Sequence, residues 1–326
     1  MRDKVTLTGR GLVRGLGTLP AVWVALFGAA LVWGCNGYSN HGGQLKTPAG
    51  VVVNPSGAIY LTDSGHNWII QMLNMKGKDW TPFGIISLNA YIFNDPQGIT
   101  LDSTNRIYVA DSGNNRIVRF DNMNGSAFLA FSGPVPPAPG GPFAFPSGIA
   151  VDSNDAIYVA DTNNNRIVRM DDISGTNWTA LGTMGGGQNQ FNTPTGIAVG
   201  ANFHIYVADS GNNRIVQMDD ISGTNWTAYG TFGSGTGNFN APSGIAVTSI
   251  GQIEVADTGN DRIVQIDDMI GTNWTALGAA GSGARHFNSP VGVEAGGDGK
   301  LYVADELNDR IVQMTDITGA GWETFP

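Results

Sequence analysis

Cysteine occurs once in this chain, at Cys35, so no disulfide within the chain can staple the fold. Basic residues are scarce as well: 17 Lys and Arg stand against 27 Asp and Glu, a formal net charge of −10. Residues 1–34 hold four of the bases (Arg2, Lys4, Arg10, Arg14) and one acid, Asp3, which leaves 13 bases against 26 acids, or −13, on the remainder. Nucleic-acid phosphates require Lys and Arg, so this acidic body excludes nucleic acid as a partner. No window repeats apolar residues every 3.6 positions for the length of a helix, which excludes a helical bundle. A G-x-S-x-G nucleophile motif is missing too. What is abundant is glycine, 47 residues of 326, in a chain only 13% charged, the composition of many tight turns on a large β-rich core.

The stretch "VADSGNNRIV" occurs twice, at Val109–Val118 and Val207–Val216, with near copies starting at Val159, Val255 and Val303. A Pro two residues before a Gly recurs at Pro48, Pro96, Pro146, Pro194, Pro242 and Pro290, in steps of 48, 50, 48, 48 and 48. Two further series keep the same period, Gly77 to Gly319 and the aromatics Trp80, Phe128, Trp178, Trp226, Trp274 and Trp322. Six repeats follow, with blades starting near 47, 95, 145, 193, 241 and 289.

Within the third repeat, "GIAV", "AIYVAD", "NRIVRMD" and "NWTALG" are short runs rich in Ile, Val, Tyr and Trp, separated by Asn, Asp, Ser and Gly turns. They predict four antiparallel strands. Ile157 and Val159 lie on one face of their strand and Tyr158 and Ala160 on the other, so both faces of the sheet need cover. A closed ring of six such sheets supplies it, and neither end repeat is a polar cap. The expected fold is therefore all-β, a six-bladed β-propeller of four-stranded antiparallel blades over residues 44–326. The last repeat keeps its own fourth strand around Trp322, so no swapped closing strand is evident.

"PSGIAVDSNDAIYVADTNNNRIVRMD" resembles an NHL repeat. That resemblance, over about residues 47–326, implies six-bladed propellers of the kind found in bacterial extracytoplasmic sensors and in eukaryotic RNA- and protein-binding proteins. The first repeat departs from it, with Trp68 in the slot of Arg116, Arg166, Arg214, Arg262 and Arg310.

Each decapeptide places an Asp five residues before that Arg: Asp111, Asp161, Asp209, Asp257 and Asp305, with Asp63 in the first repeat. The carboxylate is expected to accept N–H groups of the intervening turn while the guanidinium forks back onto it. One copy per repeat points to a structural turn clamp, since catalysis needs a single site. Asp63 then needs another partner, or its blade is looser. The "DDISG" loops read as Asx-type turns ending on a positive-φ Gly; Ca²⁺ is the rival, without the alternating acidic spacing it favours. No cofactor is expected, and neither Ca²⁺ nor Zn²⁺ has a recognisable site.

The N-terminus differs in composition. Basic residues precede the apolar run "GTLPAVWVALFGAALVWG", which ends at Cys35. This describes an export signal over 1–34, and "VWGC" resembles a lipobox whose Cys35 is lipidated, with 35–43 as a short tether. An ordinary signal peptide or a single membrane anchor are the alternatives. Each puts the body outside the cytoplasm; with Asn36 after the cysteine, a lipoprotein would go to the outer membrane if the organism has one.

Function in a repeat fold is best sought where repeats disagree. Glu294 stands in the slot of Val52, Thr100, Ala150, Ala198 and Ala246, and Glu254 in that of Tyr60, Tyr108, Tyr158, Tyr206 and Tyr302. An acid in an apolar slot must be paired, hydrated or protonated, so these two mark one side of the channel as a candidate ligand- or cation-binding spot. His41, His66, His204 and His286 fall at unrelated phases and form no repeated metal set. The Pro-rich "SGPVPPAPGGPFAF" reads as a stiff insertion, and the sequons at Asn177, Asn225 and Asn273 as strand residues. The expected function is an exported binding or scaffold module for a protein or glycan partner at the cell envelope. Its alternative is a channel-type lyase or lactonase using a divalent metal.

Overall fold

The computed structural model describes residues 43–87, 90–134 and 140–326. They form six sheets of four antiparallel strands, each sheet made from consecutive strands, arranged as the blades of a propeller. In blade 4 the strands are Pro194–Val199, Ile205–Asp209, Arg214–Met218 and Thr227–Tyr229, paired in sequence order. The first strands of neighbouring blades pack together around the axis, and the fourth strands form the exposed rim. Among the described residues the helical elements are one-turn 3₁₀ segments, such as Ser210–Asn212 between the second and third strands. Asn213 follows at φ 54°, a left-handed conformation that Asn adopts more readily than most residues.

The Pro-x-Gly signature has a packing cause. It opens each first strand and coincides with a register shift in every blade. There the first strand of the next blade comes so close that a Cβ on Gly98 would lie 2.5 Å from the Ser147 carbonyl oxygen, and one on Gly244 2.6 Å from that of Val291. Only glycine fits.

Six apolar clusters fill the spaces between blades. One joins Tyr158, Ala160 and Ile167 of blade 3 to Ile197, Val207 and Met218 of blade 4. Both faces of each central strand are consumed in this way, as the two-sided apolarity of "AIYVAD" requires. The ring closes by the same packing: Tyr302, Ala304, Ile311 and Phe325 of blade 6 meet Val51, Leu61, Ile70 and Met72 of blade 1. Trp80 lies 5.3 Å from Phe325, ring to ring, and the Thr47 amide donates to Asp309 Oδ1 at 2.8 Å. Among the described residues no strand is exchanged across this seam.

Candidate functional site

The Asp–Arg pairs are bolts between blade and loop. Asp111, Asp161, Asp209, Asp257 and Asp305 are fully buried. Asp209 accepts the Asn192 amide at 2.7 Å, the Asn212 side chain at 2.8 Å and Arg214 Nε at 2.7 Å. Burial pushes the Asp209, Asp257 and Asp305 carboxyls up, against the pull of these donors. Two expectations are corrected here. The backbone donor comes from the inter-blade loop 17 residues upstream, not from the turn. The guanidinium does not fork onto the carboxylate: Arg214 uses Nη1 and Nη2 on the carbonyls of Gly186, at 2.7 Å, and Gln190, at 2.9 Å. Arg262 and Arg310 repeat the pattern, and Arg116 and Arg166 likewise reach loop carbonyls. In blade 1, Asp63 has another partner, His66 Nδ1 at 2.8 Å, whose ring stacks on Trp68 at 4.7 Å.

A second link joins neighbouring blades. Ser64, Ser112, Thr162, Ser210 and Thr258, each just after its Asp, donate a hydroxyl to the carbonyl of the next blade's Pro, at 2.7 Å for Thr162 to Pro194 and for Thr258 to Pro290. The sixth position holds Glu306, which accepts from Ser289 at 3.4 Å. The sequence reading passed over it, although the broken Ser/Thr series was its signal.

Three loops of equal length, between blades 3 and 4, 4 and 5, and 5 and 6, stand on the same face as these turns. Each is anchored by a buried Phe (Phe191, Phe239, Phe287), by the Arg of the following blade and by an Asn such as Asn212, whose side chain donates to the Gly185 carbonyl at 2.8 Å. The anchors leave Met184 and Phe232, at equivalent positions, each 73% exposed. Single exposed apolar side chains are ordinary, and Ile250 and Ile270 are more exposed still; what marks Met184 and Phe232 as candidate docking contacts is their recurrence at one position on neighbouring fixed loops.

Along the axis runs a cavity of about 560 Å³ lined by the six first strands. Glu294 lines it and has no hydrogen-bond partner among the described residues; burial pushes its carboxyl up to about 8. Glu254 is elsewhere. Its cross-strand partner Ala246 packs against blade 6, whereas Tyr302, the partner of Glu294, packs against blade 1. The two acids therefore occupy different blade interfaces and do not form one spot. Glu254 is fully buried, with Oε1 accepting from Gln265 at 2.6 Å and Oε2 without a partner among the described residues; burial raises its carboxyl to about 7.

The remaining motifs are local. Asp172 accepts the Ser174 amide at 2.8 Å, and Gly175, at φ 83°, closes the turn onto the Asp172 carbonyl, as an Asx turn requires. Asn177, Asn225 and Asn273 are turn residues at positive φ whose side chains hold Asp171, Asp219 and Asp267, not strand residues. Among the described residues no three His, Cys, Asp or Glu side chains converge as a metal site, and no helix is long and apolar enough to cross a membrane. Cys35, the leader expected over 1–34 and the centre of the Pro-rich insertion lie outside the described residues.

An NHL repeat profile matches residues 45–72, 93–120, 143–170 and 191–218. No curated protein matches the chain. Among solved structures, the chain is similar to a virginiamycin B lyase from Staphylococcus aureus (TM-score 0.57, 21% identity, covering 86% of this chain and 84% of that one). It is similar to a gluconolactonase from Xanthomonas campestris (TM-score 0.61, 13% identity, 80% and 84% covered). An auxiliary nutrient binding protein from Bacteroides thetaiotaomicron is a third (TM-score 0.63, 13% identity, 87% and 70% covered). At these identities the likeness concerns the fold, and it spans enzymes and binding proteins alike.

Proposed function

From NHL repeats closed into a six-bladed β-propeller, we propose an exported binding module that docks a protein partner on its turn-and-loop face, tethered to the cell envelope through Cys35. The observation that carries this reading is the pair of exposed side chains Met184 and Phe232 on loops fixed by Asp–Arg bolts. Rigid loops lose little entropy on binding, and apolar side chains at the centre of an interface supply most of its energy. A glycan is the less suited partner, because sugars need more hydrogen-bonding side chains than Met and Phe provide. The rival, a lyase or lactonase built around a divalent metal, needs a donor set that the described residues do not assemble.

The test compares crosslinked partners of the wild type and of the Met184→Ser, Phe232→Ser double variant in the native envelope. The variant should fold normally and lose the wild type's specific crosslink; retention of that crosslink overturns the loop-face reading. Cys35→Ser should move the protein from the membrane to the soluble exported fraction, and a wild type already soluble after export overturns the anchor.

A further inference from the structure

We propose that the central channel binds an amphiphilic monocation, a primary ammonium on an apolar chain, with Glu294 as its counter-ion. The inference concerns the channel and not the loop face, so the two readings stand or fall separately.

The cavity, at about 560 Å³, has the size of a small-molecule site, and its wall is polar and apolar in about equal parts. Ile149, Ile197, Ile245 and Val293 contribute, together with the backbone of the glycines that let the first strands approach. No Lys, Arg or His lines it, so nothing in the wall neutralises an acid. Glu294 is the one acid on a first strand, at a level where three other repeats carry Ala150, Ala198 and Ala246. Glu294 is partly exposed to the channel and has no protein donor there among the described residues, where alanine serves three of the other blades. Glu306 also lines the cavity, at the end formed by the turns, where Thr162 and Asn163 belong to the lining; a second acid there draws cations towards the opening.

Monovalent organic charge fits better than a metal ion. Ca²⁺ takes six to eight oxygens, whereas one carboxylate offers two, and no further acid of the described residues joins it in a three-ligand group. An ammonium needs one counter-ion and a few acceptors, which the polar half of the wall offers at Ser147, Thr195 and Ser243, and its chain lies against the apolar half. Since burial alone pushes Glu294 up to about 8, the carboxyl holds a proton near neutral pH, and an arriving ammonium displaces it.

The experiment is titration calorimetry of the full chain with hexylammonium and with its neutral counterpart hexan-1-ol, at pH 6 and pH 9. Hexylammonium should bind at least tenfold more tightly than hexanol at pH 9, with a smaller preference at pH 6. In Glu294→Gln the preference should vanish. Glu294→Ala, which restores the residue of the other repeats, guards against misfolding of the Gln variant and should behave alike. An equal affinity for the two ligands, a preference unchanged in either variant, or Ca²⁺ binding that depends on Glu294 without hexylammonium binding each overturns the proposal.

Discussion

Arg214 closes a circuit of hydrogen bonds: its guanidinium donates to a buried carboxylate and to loop carbonyls, and that carboxylate also accepts from an asparagine side chain and a distant backbone amide. Truncating it leaves Asp209 buried without its counter-charge, and such breaks cost about 3–5 kcal/mol. Arg214→Ala should therefore lower the denaturation midpoint strongly, and Arg262→Ala should do the same, because its partners repeat. A loss confined to one of the two would show that the pair does local work rather than hold the ring. The five-residue Asp–Arg spacing across a hairpin was legible in the sequence. The upstream amide was not, because it reaches the carboxylate only after the loop folds back.

Glu254 offers a second residue-scale expectation. Its carboxyl titrates near the ordinary 4.5 when unfolded and at about 7 when folded, so the folded state binds more protons between these values. The contribution of Glu254 is then fully present below pH 4.5 and falls as pH rises towards 7, with an upper limit of about 3 kcal/mol at 1.36 kcal/mol per pH unit. Beside it stand Gln265 and Gln252, the latter holding Asp267 at 3.0 Å, and none of these supplies a positive charge. Glu254→Gln should flatten the slope of stability against pH from 5 to 7 relative to wild type. An unchanged slope would mean that the carboxylate finds solvent or a donor.

At the scale of the element, the hydroxyl after each Asp connects one blade to the next. Thr258→Val keeps the shape and removes the donor to the Pro290 carbonyl, a loss of about 1 kcal/mol by the usual value of one hydrogen bond. Glu306→Thr should do the reverse at the seam, raising the denaturation midpoint by supplying a sixth hydroxyl towards Pro48. A lower midpoint would show that Glu306 contributes more than the hydroxyl it displaces. The Ser/Thr series was visible in the repeats, but its purpose was not, because its acceptor belongs to another blade. The fourth strand was also read too long, from Asn177 instead of Thr179, since the pattern "NWT" does not reveal that Asn177 turns at positive φ.

For the whole molecule, the number of blades, their strand count and their antiparallel order followed from periodicity and from strands apolar on both faces. Closure also followed, because a sheet greasy on both sides needs a neighbour on each. The size of the central channel did not, since it depends on how closely six glycine-bearing strands converge.

Five junctions between blades are crossed by the chain, and the sixth, between blades 6 and 1, is held by contacts alone. A ring parted there becomes an open stack ending in two different apolar surfaces, each shaped for the other. Those ends can rejoin within one molecule or meet the opposite end of a second. The latter is a head-to-tail interface that propagates unless a ring closes. Destabilised variants should therefore form soluble oligomers that grow with protein concentration, seen by light scattering, before they unfold. The joint that completes the monomer is thus also a latent polymerisation contact.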